Sequence, residues 1–193
     1  SKKPLIVVPN HLVTQWAQYF YRLCPGAKVL AATPADFTAK NRKRLFSRIA
    51  TTKDVDAIVI GHSSLGYIPS PGADLKAIIR EQLGILQQAL DEARINGESK
   101  RSLSQIAQRI DSYKGQLEEI SNRPSDKIGH DLETLGIDYI AVDEAHEFKN
   151  LEYATAGDRI VGMNDPSGSK KAFDLYVKLR GLQQRGGGVT FAT

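Results

Sequence analysis

Apolar residues fall into two patterns along the chain, short unbroken runs and long spaced stripes. Pro4 to Val8 is a continuous, largely β-branched run that ends at Pro9-Asn10, the signature of a strand buried on both faces and followed by a loop. Leu12, Val13, Trp16, Tyr19 and Phe20 then recur at helical spacing until Pro25-Gly26, which predicts a helix and its stop. Lys28 to Ala31 reads as a short strand and Pro34 to Ile49 as a basic helix. Asp56 to Gly61 repeats the first pattern and ends in a loop at Gly61-His62-Ser63. Two strand–loop units separated by helix predict an α/β layer fold.

The next stretch differs in kind. Ile79, Leu83, Leu86, Leu90 and Ala93 step by four and three, as do Leu103, Ile106, Ile110, Tyr113, Leu117 and Ile120; both are heptad stripes. With Asn96-Gly97 as the turn and Asn122-Arg123-Pro124 as the stop, they predict an antiparallel helical hairpin inserted in the α/β body. The α/β pattern resumes at Ile137 to Val142, an apolar run ending in Asp143-Glu144. A loop rich in Gly, Asp and Ser follows from Ala156 to Ser169, then a helix carrying Phe173, Val177, Leu179 and Leu182, then a strand over Gly188 to Thr193. The expected organisation is 1–68 and 125–193 as two parts of one α/β lobe, with 69–124 as the inserted hairpin.

Composition and charge refine this picture. A chain of 193 residues, 41% hydrophobic, can bury a core and fits one domain with an insertion. The single cysteine, Cys24, excludes an internal disulfide, and no Cys/His cluster has zinc-ligand spacing. No apolar run approaches the roughly 20 residues of a membrane span, and no signal-peptide hydrophobic region is present, so a soluble, cytoplasmic protein with no membrane partner is expected. The charge is uneven: residues 1 to 68 hold ten Lys/Arg against three Asp/Glu (+7), 69 to 124 eight against eight (0), and 125 to 193 eight against eleven (−3). The excess is densest at Lys40, Arg42, Lys43, Arg44 and Arg48. That run reads either as a phosphate-facing surface or as a solvated helix face.

Two adjacent carboxylates directly after a buried parallel strand stand where open α/β sheets bind ligands. In phosphoryl transfer to water, one carboxylate holds magnesium on the β- and γ-phosphates and another orients or deprotonates the attacking water. These roles fall to Asp143 and Glu144 respectively.

At these residues, Asp143-Glu144-Ala145-His146-Glu147-Phe148-Lys149-Asn150, the chain resembles superfamily-two DEAD/DEAH-box helicases, specifically their Swi/Snf-like branch, where the DEAH box continues into Lys-Asn. LIVVPNHLVTQW looks like the motif Ia strand, loop and helix, AIVIGHSSL like motif Ib, and GGGVTFAT like the approach to motif III. The nearest likeness is to helicase portions of large phage, plasmid and conjugative-element polypeptides, which often also carry a DNA-methylase-like domain. The resemblance implies a RecA-like first lobe, ATP and Mg²⁺ as cofactors bound through Asp143 and Glu144, and DNA as a sequence-independent partner. It makes Pro9, Asn10, His11, Gly61, His62 and Ser63, with Lys149 and Asn150, candidates for the nucleic-acid backbone, and has His146 link the nucleotide to motif III, represented here by Ala192 and Thr193. His11 and His62 read equally as loop residues bonded to their own backbone. Trp16, on the apolar face of its helix, reads as core rather than as a base-stacking platform.

One family element is absent from these residues. No Gly-x-x-x-x-Gly-Lys-Ser/Thr occurs, so no loop of backbone N–H groups with a lysine is available to cradle phosphates. The expectation is therefore an incomplete lobe, inactive alone, belonging to a larger polypeptide that supplies the phosphate-binding loop and a second RecA-like lobe. The alternative is a non-enzymatic scaffold whose helical hairpin binds a protein partner.

Overall fold

The computed structural model describes residues 3–122, 130–149, 151 and 169–193. The expected helix stop at Arg123-Pro124, Asn150 and the loop 156–168 lie outside them. Among the described residues are five strands, β1 (Pro4–Val8), β2 (Val29–Ala32), β3 (Ala57–Gly61), β4 (Tyr139–Val142) and β5 (Gly188–Phe191), and six α-helices: α1 (Val13–Leu23), α2 (Ala39–Thr51), the single turn α3 (His62–Leu65), α4 (Gly72–Ile95), α5 (Lys100–Asn122) and α6 (Lys170–Gln184). The strands form one all-parallel sheet in the order β2-β3-β1-β4-β5, the α/β, RecA-like layer expected from the apolar runs and their resemblance.

Helices cover both faces at the centre of the sheet, while the edge strand β5 leaves Thr190 and Phe191 exposed. Leu5, Val7, Ile58, Ile60, Ile140 and Val142 pack on one side with Leu45, Phe46 and Ile49 of α2 and Leu175, Leu179 and Leu182 of α6. Ile6, Val8, Ala57 and Val59 face the other way, against Val13 and the partly buried Trp16 and Phe20 of α1. Trp16 thus lies on the apolar side of its helix.

Three segments depart from the apolar pattern. The basic helix is broken: Thr33 and Asp36 form a capping box over a 3₁₀ turn at Pro34–Phe37, Thr38 is extended, and α2 starts at Ala39. Phe37, 2% exposed, is drawn into the core by that turn. The strand expected from Ile137 begins at Tyr139, because residues 131–137 are wound into a turn held by Leu135 N–H to Asp131 O and Ile137 N–H to Leu132 O, with Gly136 at φ +72°. Leu132 and Leu135 join the core through it. The third is α3, a helical turn where a loop was expected after Gly61.

Topology decides where a ligand can bind. β1 leads through α1 on one face, and its neighbour β4 leads toward α6 on the other. The gap between the carboxyl ends of β1 and β4 is therefore the topological switch point of the sheet, where open α/β folds hold ligands.

The chain divides into two compact units. The first is the α/β body just described. The second contains α4 and α5, whose stripes pack on each other through Ile79, Leu83, Leu86, Ile110 and Tyr113, flanked by Leu75, Leu90, Ile106, Leu117 and Ile120.

Candidate functional site

Parallel registers bring three strand ends to one rim. Val8 pairs with Gly61 and Val7 with Val142, so the residues after β1, β3 and β4 follow side by side.

The carboxylate loop is held by backbone on both sides. Asp143 N–H donates to Val7 O (2.8 Å), Ala192 N–H to Val142 O (2.9 Å) and Ala145 N–H to Ala192 O (2.9 Å). Glu144 then turns the chain at φ +50°, in the left-handed region. For a residue with a Cβ this conformation costs on the order of 1–3 kcal/mol and persists where the surroundings enforce it. A 3₁₀ turn, Ala145–Phe148, follows. The Asp143 carboxylate accepts the Glu144 N–H through Oδ1 (3.1 Å). His146 lies between two glutamates, with Nδ1 3.0 Å from Glu144 Oε2 and Nε2 3.7 Å from Glu147 Oε1.

Phe148 closes this turn by burying its ring in the main core. The His62 ring meets it edge-on at 5.0 Å between centroids. Only 7% exposed, His62 holds Nε2 2.8 Å from the Asp143 carbonyl oxygen; since a carbonyl only accepts, Nε2 carries the proton. Burial lowers the His62 pKa, the hydrogen bond to Asp143 opposes that, and the Lys171 charge adds to the lowering. The His62 side chain is thus bonded to a neighbouring loop rather than to its own backbone.

A second bridge joins the loops after β1 and β3. Asn10 Oδ1 accepts both the Ser63 N–H (3.1 Å) and the Ser63 Oγ–H (3.0 Å). Gly61 is required by this contact, since a Cβ there would come within 2.3 Å of Asn10 Oδ1 and 3.2 Å of Asn10 Cα.

The sequence-predicted residues Asn10, Gly61, His62, Ser63, Asp143, Glu144 and His146 therefore converge on one rim. Pro9 accepts the Leu12 N–H at its carbonyl, His11 is exposed on the 3₁₀ turn Asn10–Leu12, and Lys149 is exposed at the end of the carboxylate loop. Asn150 is outside the described residues. Sequence reading did not single out Phe148, Lys170, Lys171 and Asp174, which with His62, Ser63, Leu65 and Gly66 line a cleft of about 370 Å³. The signal for it was the pair Lys170-Lys171 at a helix start, where cations are unfavourable. A groove of similar size along α1, lined by Leu12, Gln15, Trp16, Tyr19, Phe20 and Leu23, carries no carboxylate, histidine or cation among its lining residues.

A parallel sheet with adjacent carboxylates at its switch point is the layout of a ligand-binding α/β domain. Within that class, the model of a family described as "Probable helicase domain" matches residues 1–193, and the chain belongs to that family. No curated protein and no solved structure matches the chain significantly.

Proposed function

We propose that this helicase-family chain is part of the first lobe of a nucleic-acid-dependent ATPase of the DEAH, Swi/Snf-like kind, which couples ATP hydrolysis to movement on DNA. The observation that carries the reading is the position of Asp143 and Glu144 at the switch point, joined through His62 to the loop after β3. Asp143 would hold magnesium and Glu144 would orient or deprotonate the attacking water. The donor chemistry suits such an ion: Asp143 and Glu144 are adjacent carboxylates, and Mg²⁺ characteristically takes one or two carboxylates, completing its sphere with water and phosphate oxygens. Bound there, the ion would neutralise charge on the β- and γ-phosphates.

The chain's own residues do the positioning. Hydrogen bonds to Val7 and Ala192 fix the backbone around Asp143 and Glu144, and His146 Nδ1 steadies the Glu144 carboxylate. Asn10 and Ser63, bonded to each other across two strand ends, offer a polar rim suited to backbone contacts that position a strand without reading its sequence.

Because these residues include no phosphate-binding loop, the cradle must come from elsewhere in a longer polypeptide. The upstream coding sequence should contain Gly-x-x-x-x-Gly-Lys-Ser/Thr, and an uninterrupted reading frame without it would remove ATP hydrolysis from the proposal. The 193 residues alone should show no magnesium-dependent turnover. Turnover by the purified chain, lost on Glu144→Gln, would contradict that division of labour.

A further inference from the structure

Two lysines stand where helix electrostatics disfavours them. Lys170 and Lys171 open α6, and its first turn holds no acidic residue, so two adjacent cations face the positive end of the helix dipole. Such breaches of a local rule mark places where function outweighs stability. Asp174, the acidic residue in the same cleft, is already engaged: its Oδ1 accepts from Lys178 Nζ and from Ser70 Oγ (3.2 Å). Lys171 Nζ sits 4.3 Å from the centroid of the Phe148 ring, a contact that holds the ammonium at the cleft wall without neutralising it. Leu65 and Phe148 supply apolar lining, which strengthens the field of a charge by reducing solvent screening. Ser63, on the same cleft, carries it up to the Asn10–Ser63 bridge.

We propose that this cleft takes a phosphodiester of the nucleic-acid backbone, with Lys170 and Lys171 as its charge contacts. The inference rests on the nucleic-acid track proposed above and extends it to α6 and the cleft beside α3. A strand crossing the Asn10–Ser63 rim would then place a phosphate beside Phe148, the residue that anchors the carboxylate turn.

The test is binding of a fluorescently labelled single-stranded oligonucleotide to the chain, read by anisotropy across a salt titration. Each phosphate contact to a single strand contributes roughly −0.7 to the log-log salt slope, so Lys170→Gln with Lys171→Gln should make the slope shallower by roughly 1.4. Lys170→Arg with Lys171→Arg should keep it. If the double glutamine variant loses its cooperative thermal transition, the single substitutions are read instead, each expected to change the slope by roughly 0.7. A folded glutamine variant with an unchanged slope overturns the cleft assignment alone. Failure of the unaltered chain to bind any strand at low salt overturns the nucleic-acid track as well. If the substitutions weaken binding of magnesium-ATP and leave the strand untouched, the phosphate belongs to a nucleotide and the assignment is wrong.

Discussion

His62 Nε2 lies 2.8 Å from the carbonyl oxygen of Asp143, so the turn after β3 is hydrogen-bonded to the residue proposed to hold magnesium. His62 packs against Phe148 in the same loop, and burial lowers its pKa. The unfolded chain therefore takes up this proton first, near the ordinary value of about 6.5, while the folded chain resists it until lower pH. Stability from this group is fully present above about pH 6.5 and is lost as pH falls through the folded pKa. Thermal melts between about pH 5 and 7 should show a weaker pH dependence for His62→Gln than for the unaltered chain; parallel profiles would mean that His62 titrates as if exposed.

Asn10 and Gly61 should behave as one unit. Gly61→Ala drives a methyl into Asn10 Oδ1 and breaks two hydrogen bonds to Ser63, at a cost of about 1–2 kcal/mol. Combined with Asn10→Ala the loss should be less than additive by at least about 0.5 kcal/mol. Strict additivity in denaturant melts would show that the loops are not coupled through this contact.

Lys178 and Asp174 predict an asymmetry. The Lys178 ammonium is fully buried against a partly exposed Asp174 carboxylate, and burial lowers the lysine pKa. Asp174→Asn leaves a buried charge without its counterion and should destabilise toward the lower end of roughly 3–5 kcal/mol, whereas Lys178→Met, close in shape, should be nearly neutral. Equilibrium unfolding that ranks the two the other way would contradict a buried charged pair.

The helical hairpin should be dispensable for folding of the body. Its apolar stripe is filled by α4 and α5 themselves, so replacing Gly72 to Asn122 by a short flexible linker should leave a cooperative thermal transition. Loss of cooperativity would make the hairpin part of the core.

The central strands β1, β3 and β4 were legible because they are unbroken apolar runs bounded by turn residues, the pattern of strands buried in a parallel sheet. Asp143 and Glu144 were legible as a pair because they end one such run. The break before α2 was also written locally, as Thr33-Pro34-Ala35-Asp36, a capping sequence that the basic helical pattern masked. Other features depend on residues far apart in the chain. Leu132 and Leu135 are two apolar residues without periodicity, and only the fold makes them core. The left-handed turn at Glu144 follows from bonds to Val7 and Ala192, and the inward turn of His62 from the carbonyl it meets. The Lys171–Phe148 contact joins two segments that no local pattern connects.

The most direct test of the central claim is DNA-stimulated ATP hydrolysis by the full-length gene product that contains this chain. Glu144→Gln keeps the size and left-handed backbone of the residue but removes its basic carboxylate, so turnover should fall at least about a hundredfold while DNA binding persists. Turnover unchanged by this substitution would contradict the assignment of Glu144 to the attacking water, and with it the reading of the Asp143–Glu144 loop as the hydrolytic centre.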